Sequence, residues 1–288
     1  MKEELTMKNI DIFGDLEYLY PYKFDVEQVF KQIENATLGF TEKVGTKRVV
    51  LGISGGKDSS IIAWAMKKIL GAKNVFGVMM PNGIQPDIAD AEQVFAETGI
   101  NKLEVNIGKA FEELFDEVKF EAEAAVASDE SLNMTDTKIN MPPRLRMTAL
   151  FGVAQAVNGI VLNTDNLEEI CLGYYTIFGD GAGSFGPIRD LTVPEVLQLG
   201  KWLGAPDNLV YKTPGDGLQA EGDEARMGIS YAEMHEFLRK NGGSDEMKKK
   251  VTERYHKNKF KTDIVNIPCP KFGFPNFLTG ENTEVLPF

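Results

Sequence analysis

Short apolar runs alternate along the chain with longer segments in which apolar residues recur every three or four positions. The short runs are rich in valine and isoleucine and predict strands at residues 49–53, 75–80, 103–107 and 160–163. The longer segments have the spacing of amphipathic helices and predict them at residues 26–44, 61–70, 87–98, 110–126, 144–157, 193–203 and 231–239. Residues 1–24 show neither pattern and are predicted to be an irregular lead-in.

Strands that alternate with helices predict an α/β fold, with a doubly wound parallel sheet and helices on both faces. No internal repeat, low-complexity tract or linker divides the chain, so residues 1–288 are predicted to form a single domain. In such sheets ligands bind beyond the carboxyl ends of the strands. Ser54, Met80 and Thr164 stand at three of these ends and are expected to share one crevice.

The segment after the first predicted strand has the composition of a phosphate-binding loop. It reads Ser54-Gly55-Gly56-Lys57-Asp58-Ser59-Ser60 and leads into a helix. Glycines allow close approach of the backbone, and free N–H groups at a helix start attract anions. An aspartate beside phosphate suggests an intervening Mg²⁺. The pattern resembles the pyrophosphate loop of the N-type ATP pyrophosphatases, which cleave ATP to AMP and pyrophosphate.

Charge and cysteine content limit the classes of function that remain. The net charge of −12 argues against nucleic acid or anionic membranes as general partners. Two cysteines make no disulfide framework, and no long apolar run or signal peptide is present, so the cytoplasm is the expected location.

Further motifs extend the resemblance to most of the chain, from about Val26 to the low 240s. Arg144-Leu145-Arg146-Met147 is followed by Thr164-Asp165 with Glu169, and then by Gly173-Tyr174-Tyr175-Thr176 with Gly179-Asp180. In this order and spacing the set resembles the ammonia-dependent NAD synthetases. The resemblance implies that ATP activates the carboxylate of nicotinic acid adenine dinucleotide as an acyl-adenylate, which ammonia converts to NAD. It also implies a homodimer with the substrate site at the subunit interface. No glutaminase domain is expected within the 288 residues.

The resemblance assigns roles to individual residues. The expected ATP contacts are Ile53, Ser54, Gly55, Gly56, Asp58, Ser59, Ser60, Met80 (or Met79 beside it) and Thr164. The expected Mg²⁺ ligands are Asp58 and Glu169, and the expected contacts to the acid substrate are Arg144, Tyr174, Tyr175, Asp180 and Lys261. Structural roles remain alternatives for these residues. Glu169 is then a surface carboxylate, the two tyrosines are core residues, and Arg144 pairs with an acidic neighbour.

Several positions depart from the family pattern. Ile177 and Val193 stand where lysines are usual, Ser184 where aspartate is usual, and Gly215 where a hydroxyl is usual. The late His-Lys pair is represented either by Lys261 or by His256-Lys257. Lys57 lies within the phosphate loop, where it could supply the missing cation, and we count it with Asp58 as a catalytic candidate.

Four functions are compatible with these features. The first is an ammonia-dependent NAD synthetase. The second is an amide ligase of the same fold acting on a different carboxylic acid, which the altered substrate contacts favour. The third is an ATP-pyrophosphatase thiolase acting on tRNA, against which the acidic charge and the absence of paired catalytic cysteines argue. The fourth is a nucleotide-binding regulator without turnover, against which the two candidate metal carboxylates argue.

Overall fold

A computed structural model describes residues 24–83, 88–126, 132–211, 224, 228–264, 267–273, 275–279 and 281–282. Almost all of the predicted lead-in, and the loop that contains Gly215, lie outside the described residues. Among the described residues no helix has both the length and the hydrophobicity that crossing a bilayer demands.

Helices and strands alternate through the first half of the chain, as predicted. The helices are α1 (Val26–Val44), α2 (Lys57–Leu70), α3 (Ile88–Thr98), α4 (Gly108–Ala125), α5 (Met134–Ala156), α6 (Leu167–Leu172), α7 (Val193–Trp202), α8 (Asp207–Val210), α9 (Tyr231–Lys240) and α10 (Asp245–Ile264). The strands are β1 (Val49–Gly52), β2 (Val75–Met79), β3 (Asn101–Glu104), β4 (Ile160–Val161), β5 (Pro275–Asn276) and β6 (Glu281–Asn282).

Four parallel strands form the central sheet in the order β3-β2-β1-β4, and β5 pairs with β6 in a separate antiparallel ladder. The chain therefore winds outward from β1 through β2 to β3, and then crosses to the other side of β1 to form β4. This reversal places the switch point of the topology between β1 and β4, where ligands of such sheets bind. The predicted α/β class is confirmed.

Apolar residues cover both faces of the sheet. On one face a large core packs α1, α2 and α7 against the sheet. It includes Leu51 of β1, Ile61 of α2 and Val196 of α7, all fully buried. On the other face a smaller cluster packs Val50, Val78 and Val161 against α5. Helices on both faces keep the sheet rigid and fix the positions of the loops at its carboxyl edge.

The predicted boundaries of α2 and β3 differ from those in the structure. Helix α2 begins at Lys57 rather than Ile61, so the acidic and hydroxyl residues of the loop occupy its first turn. Strand β3 spans Asn101–Glu104 rather than 103–107, although the N–H groups of Val105 and Ile107 continue the pairing towards β2.

The prediction that Pro142 and Pro143 begin a helix is wrong. Helix α5 begins at Met134 behind an Asn133 cap, and both prolines lie inside it. Interior prolines remove helix hydrogen bonds and are costly. Here both are buried, and a Cβ on Gly179 would lie 2.9 Å from Pro143 Cβ, so Pro143 packs closely against the neighbouring loop.

Candidate active site

The loop between β1 and α2 packs tightly against the start of α3. Gly55 has a left-handed backbone (φ +78°), and a Cβ there would lie 2.9 Å from Asp90 Cβ and 3.0 Å from Ala91 N. Glycine is therefore required at this position on two grounds, conformation and space. At the helix start Gly56 provides no side-chain cap, which leaves the first N–H groups of α2 available to an anion.

The serines of this loop are bonded to one another and to the loop backbone. Ser54 Oγ lies 3.1 Å from Ser59 Oγ and accepts a hydrogen bond from Gly56 N at 3.1 Å. Ser60 Oγ donates to Gly56 O at 2.7 Å and is fully buried. Ser54 is exposed, so its hydroxyl and the helix-start amides form the accessible part of the loop, while Ser59 and Ser60 hold the loop's shape.

Two predicted metal ligands meet at the switch point of the sheet. Asp58 lies in the first turn of α2, and Glu169 lies in the first turn of α6, just after β4. Partial burial, followed by the nearby charges of Asp58 and Asp165, raises the pKa of Glu169 well above its usual value. The charges of Asp58 and Asp165 therefore act on Glu169, and a divalent cation held between Asp58 and Glu169 would reduce this repulsion.

The donor atoms present at this point fit Mg²⁺. Asp58 Oδ1 is buried and has no hydrogen-bond partner, whereas Oδ2 accepts a bond from Lys57 Nζ at 3.0 Å. Carboxylate oxygens are the protein ligands that Mg²⁺ prefers, and one or two of them commonly suffice when substrate phosphates supply the rest. Within the described part of the chain, no group of three or more acidic, histidine or cysteine residues is arranged as a complete metal site.

Lys57 is a buried cation at the start of α2. Its side chain is only 6% exposed, and its Nζ lies 5.0 Å from the centre of the Tyr231 ring. Its charge acts on Glu169, where it opposes the upward shift of the pKa. The predicted cation of the loop is thus placed beside both candidate metal ligands.

The two arginines of the 144–147 motif point to different places. Arg146 Nε donates to Met80 O at 3.1 Å and so joins α5 to the end of β2. Arg144 Nε donates to Ile177 O at 3.3 Å, and its exposed side chain lines a cleft of about 600 Å³. Because the two residues are separated by two positions, they lie on opposite sides of the helix. Arg144 therefore faces the cleft, and Arg146 faces the strand ends.

The loop that follows α6 is held firmly against α5. Thr176 Oγ1 donates to Asn140 Oδ1 at 2.9 Å, and Thr176 N donates to Asp180 Oδ1 at 2.7 Å. The predicted substrate contact Asp180 therefore has one oxygen engaged with the loop backbone. Ile177, one of the positions that depart from the family pattern, lies in this loop, and its carbonyl oxygen accepts the hydrogen bond from Arg144.

Helix α10 completes this side of the site. Lys261 Nζ donates to the carbonyl oxygens of Gly173 and Tyr175 at 2.8 and 2.9 Å, and lies 5.3 Å from the centre of the Tyr175 ring. Tyr175 is buried, and its hydroxyl lies 3.2 Å from Thr262 Oγ1. Tyr174 is half-buried, and the Cζ atom of Arg254 lies 5.9 Å from the centre of its ring. Of the two candidates for the late cation, Lys261 is the one bonded to the loop that follows α6.

Val193 lies in the large core rather than at the site. Its backbone N–H donates to both oxygens of Glu168 at 3.0 Å, and its side chain is buried. Burial raises the pKa of Glu168 to about 8. Sequence reasoning missed Glu168, since nothing in its neighbourhood marks it as a fully buried carboxylate.

A buried polar network, also missed, lies directly behind the strand ends. Arg189 Nη1 donates to Asn163 Oδ1 at 3.0 Å and lies 3.4 Å from Asp165 Oδ2. Burial, together with Asp180, raises the pKa of Asp165 to about 7. Asp165 belongs to the motif that joins Thr164 to Glu169, and that motif was the signal in the sequence for a role at the site.

A second buried network joins α7 to α9. Arg239 Nε donates to Glu195 Oε1 at 2.9 Å, and both side chains are fully buried. Next to them His235 Nδ1 lies 2.7 Å from Thr192 Oγ1. The His235 side chain is 4% exposed, and burial lowers its pKa to about 4.

Comparisons with known proteins agree with this architecture. A family model described as NAD synthase matches residues 29–265. The NH(3)-dependent NAD(+) synthetase of Archaeoglobus fulgidus is 36% identical over 220 residues, which cover 74% of this chain and 83% of that protein. The protein of the same name from Methanosarcina mazei is 34% identical over 261 residues, covering 85% of this chain and 98% of the relative.

Solved structures show the same fold. A structure of NMN synthetase from Francisella tularensis superposes with a TM-score of 0.75 at 28% identity, covering 85% of this chain and 99% of that one. An NAD+ synthetase from Burkholderia pseudomallei gives a TM-score of 0.68 at 25% identity, covering 90% and 100%. With a family model that spans most of its length, the chain belongs to the NAD synthase family.

Proposed function

We propose that the protein is an ATP- and ammonia-dependent ligase that converts nicotinic acid adenine dinucleotide to NAD, with AMP and pyrophosphate as the other products. The observation that carries the proposal is the position of the Ser54–Ser60 loop at the switch point of the sheet, where the charge of its Asp58 acts on Glu169. The names of the curated relatives support ammonia as the nitrogen donor and NAD as the product.

The chemistry follows from the poor reactivity of a carboxylate towards ammonia. The substrate carboxylate attacks the α-phosphorus of ATP, and pyrophosphate leaves. Ammonia then attacks the acyl carbon, and AMP departs with the oxygen that joined it to the acyl group. The protein positions the two substrates and neutralises the charge on the leaving group.

Each side of the crevice holds one substrate in this proposal. The helix-start amides and Ser54 bind the departing phosphates, with Thr164 and Ile53 beside the nucleotide and Met80 near its adenine. Asp58 and Glu169 hold Mg²⁺, which when bound neutralises phosphate charge. Arg144, Asp180 and Lys261 surround the acid substrate, and Tyr174 and Tyr175 support that side of the site.

In this proposal Lys57 supplies a cation at the phosphate loop. Lys57→Ala is expected to raise the KM for ATP about tenfold or more, because a charge-assisted contact in a partly dry site contributes roughly 1.5–3 kcal/mol. Lys57→Met, which keeps the apolar stem near Tyr231, should have the same effect. Initial rates against ATP concentration test this, with exposed Lys73→Ala as the control. An unchanged KM in both variants would remove Lys57 from the site.

The protein is proposed to act as a homodimer through α4 and α5. These helices expose Leu114, Val118, Phe120 and Ile139, which are 36–66% accessible, next to the cleft lined by Arg144. Val118→Glu is expected to convert the dimer to a monomer, as measured by light scattering after size-exclusion chromatography. Phe260→Glu, on exposed α10, serves as the control. A wild-type monomer at micromolar concentration would contradict the proposal.

The cytoplasm is the proposed location, supported by the unpaired state of Cys171 and Cys269, which suits a reducing compartment. The proposed partners are ATP, ammonia and the acid. Neither nucleic acid nor membrane is a proposed partner, since the net charge is −12.

A second candidate is the amidation of a different acid. One observation favours it: the structure with a TM-score of 0.75 is named NMN synthetase, which suggests a mononucleotide acid. The names of the curated relatives weigh against it. Pyrophosphate release with ATP and Mg²⁺ separates the two when nicotinic acid adenine dinucleotide, nicotinic acid mononucleotide and a panel of other acids are compared. Release with the dinucleotide, and NAD formed on adding ammonium, supports the first. Release only with another acid supports the second, and no release with any acid contradicts both.

A further inference from the structure

Phe178 has a backbone conformation that phenylalanine rarely adopts. Its φ is +56°, in the left-handed region, where the Cβ of a bulky residue is crowded. The Oγ1 of Thr176 on Asn140, the Arg144 bond to Ile177 O, and the close packing of Gly179 on Pro143 hold the loop in place. The surrounding contacts thus maintain a strained residue, which is a frequent feature of binding sites.

The ring that this conformation projects is largely exposed. Phe178 is 52% accessible and lines the 600 Å³ cleft together with Arg144 and Asn140. Among the described residues it takes part in no ring–ring or cation–ring pair. Because about half of the Phe178 side chain is exposed, packing of its ring contributes little stability to offset the backbone strain.

Neither neighbouring tyrosine offers an equally free ring. Lys261 Nζ lies over Tyr175, whose ring also contacts Gly181 and whose hydroxyl meets Thr262. Tyr174 lies under Arg254 and packs against the core. A cation over each ring makes both tyrosines poor partners for a second cation.

We propose that Phe178 is the residue that binds the pyridinium ring of the acid substrate, by stacking in the cleft beside Arg144. This proposal rests on the proposed function. The ring nitrogen of a nicotinate nucleotide carries a positive charge because it is bonded to ribose, and an aromatic face attracts such a cation. Arg144 lines the same cleft, so its guanidinium can pair with a carboxylate or phosphate of the bound nicotinate nucleotide.

The first test measures the KM for the nicotinate nucleotide separately from the KM for ATP. Phe178→Ala and Phe178→Leu are expected to raise the KM for the nicotinate nucleotide about tenfold, with the KM for ATP unchanged. Phe178→Tyr keeps the ring and should retain the wild-type value. Phe277→Ala, which removes an exposed phenylalanine elsewhere, is the matched control. Equal KM values for the acid in the wild type and Phe178→Ala would overturn the proposal.

Phe178→Gly tests the strain separately from the ring. Glycine adopts positive φ without penalty, so this variant should melt at the same temperature as the wild type or higher, while its KM for the acid rises as in Phe178→Ala. A lower melting temperature would assign Phe178 a structural role and contradict the proposal.

Binding of NAD and NADH without turnover identifies which ring is stacked. The two dinucleotides share the adenosine half, but only NAD has the charged aromatic pyridinium. Calorimetric titration should show that Phe178→Ala weakens NAD about tenfold and leaves NADH nearly unchanged. Equal weakening of both, or of neither, would overturn the proposal. A wild-type protein that turns over no nicotinate nucleotide contradicts the proposed function itself, whereas an active enzyme with an unaffected Phe178→Ala variant contradicts only this inference.

Discussion

Asp58→Asn is expected to lower kcat/KM for ATP about 100- to 1000-fold, while the protein stays folded. Asp58 brings a buried oxygen without a hydrogen-bond partner to the point where β1 and β4 diverge, next to Glu169. The amide of asparagine has a similar shape but lacks the negative charge that is proposed to hold Mg²⁺ beside the departing phosphates. Loss of a group that stabilises charge in the transition state typically costs this much.

Steady-state kinetics at increasing Mg²⁺ concentration provide the measurement. The variant should also require more Mg²⁺ for half-maximal rate. Asp263→Asn, which changes an exposed aspartate on α10, is the control and should behave as the wild type. A variant with wild-type kcat/KM and wild-type Mg²⁺ dependence would show that Asp58 holds no metal.

Arg239→Met is expected to lower the free energy of unfolding by about 3–5 kcal/mol. Arg239 and Glu195 are both fully buried, and Arg239 Nη2 also donates to Asp190 O at 2.6 Å. Methionine fills a similar volume but leaves the Glu195 charge buried without its partner. Urea denaturation gives the value.

Two further variants identify the cause of this loss. Lys249→Met breaks an exposed pair with Glu253 and should cost less than about 0.5 kcal/mol. The double variant Glu195→Gln with Arg239→Met removes the stranded charge, and should lose less than Arg239→Met alone. A double variant that is destabilised by the full sum of the two single changes would contradict this explanation.

The hydrophobic pattern predicted the elements that bury one face. Helix α1 begins behind Asp25, whose side chain accepts from Gln28 N, and ends at the left-handed Gly45, as its sequence indicates. Helix α10 was missed, because charged residues surround its whole circumference and only Met247 and Val251 are buried. A helix without an apolar stripe gives no periodic signal.

The site was predictable where chemistry depends on local sequence. The Ser54–Ser60 loop could be placed at the sheet edge because it follows β1 directly, and Glu169 because its motif begins at Thr164, shortly after β4. The partnership of Arg239 with Glu195, and of Arg189 with Asp165, depends on contacts between distant segments and has no local signature. The left-handed backbone of Phe178 is equally invisible, since its sequence favours no such turn.

The most direct test of the proposed reaction follows the oxygen of the substrate carboxylate. Nicotinic acid adenine dinucleotide labelled with ¹⁸O in its carboxylate is incubated with the protein, ATP, Mg²⁺ and ammonium, and the AMP is analysed by mass spectrometry. Attack of the carboxylate on the α-phosphorus predicts one ¹⁸O atom in each AMP formed. Unlabelled AMP, or ADP and phosphate in place of AMP and pyrophosphate, would contradict the proposed function.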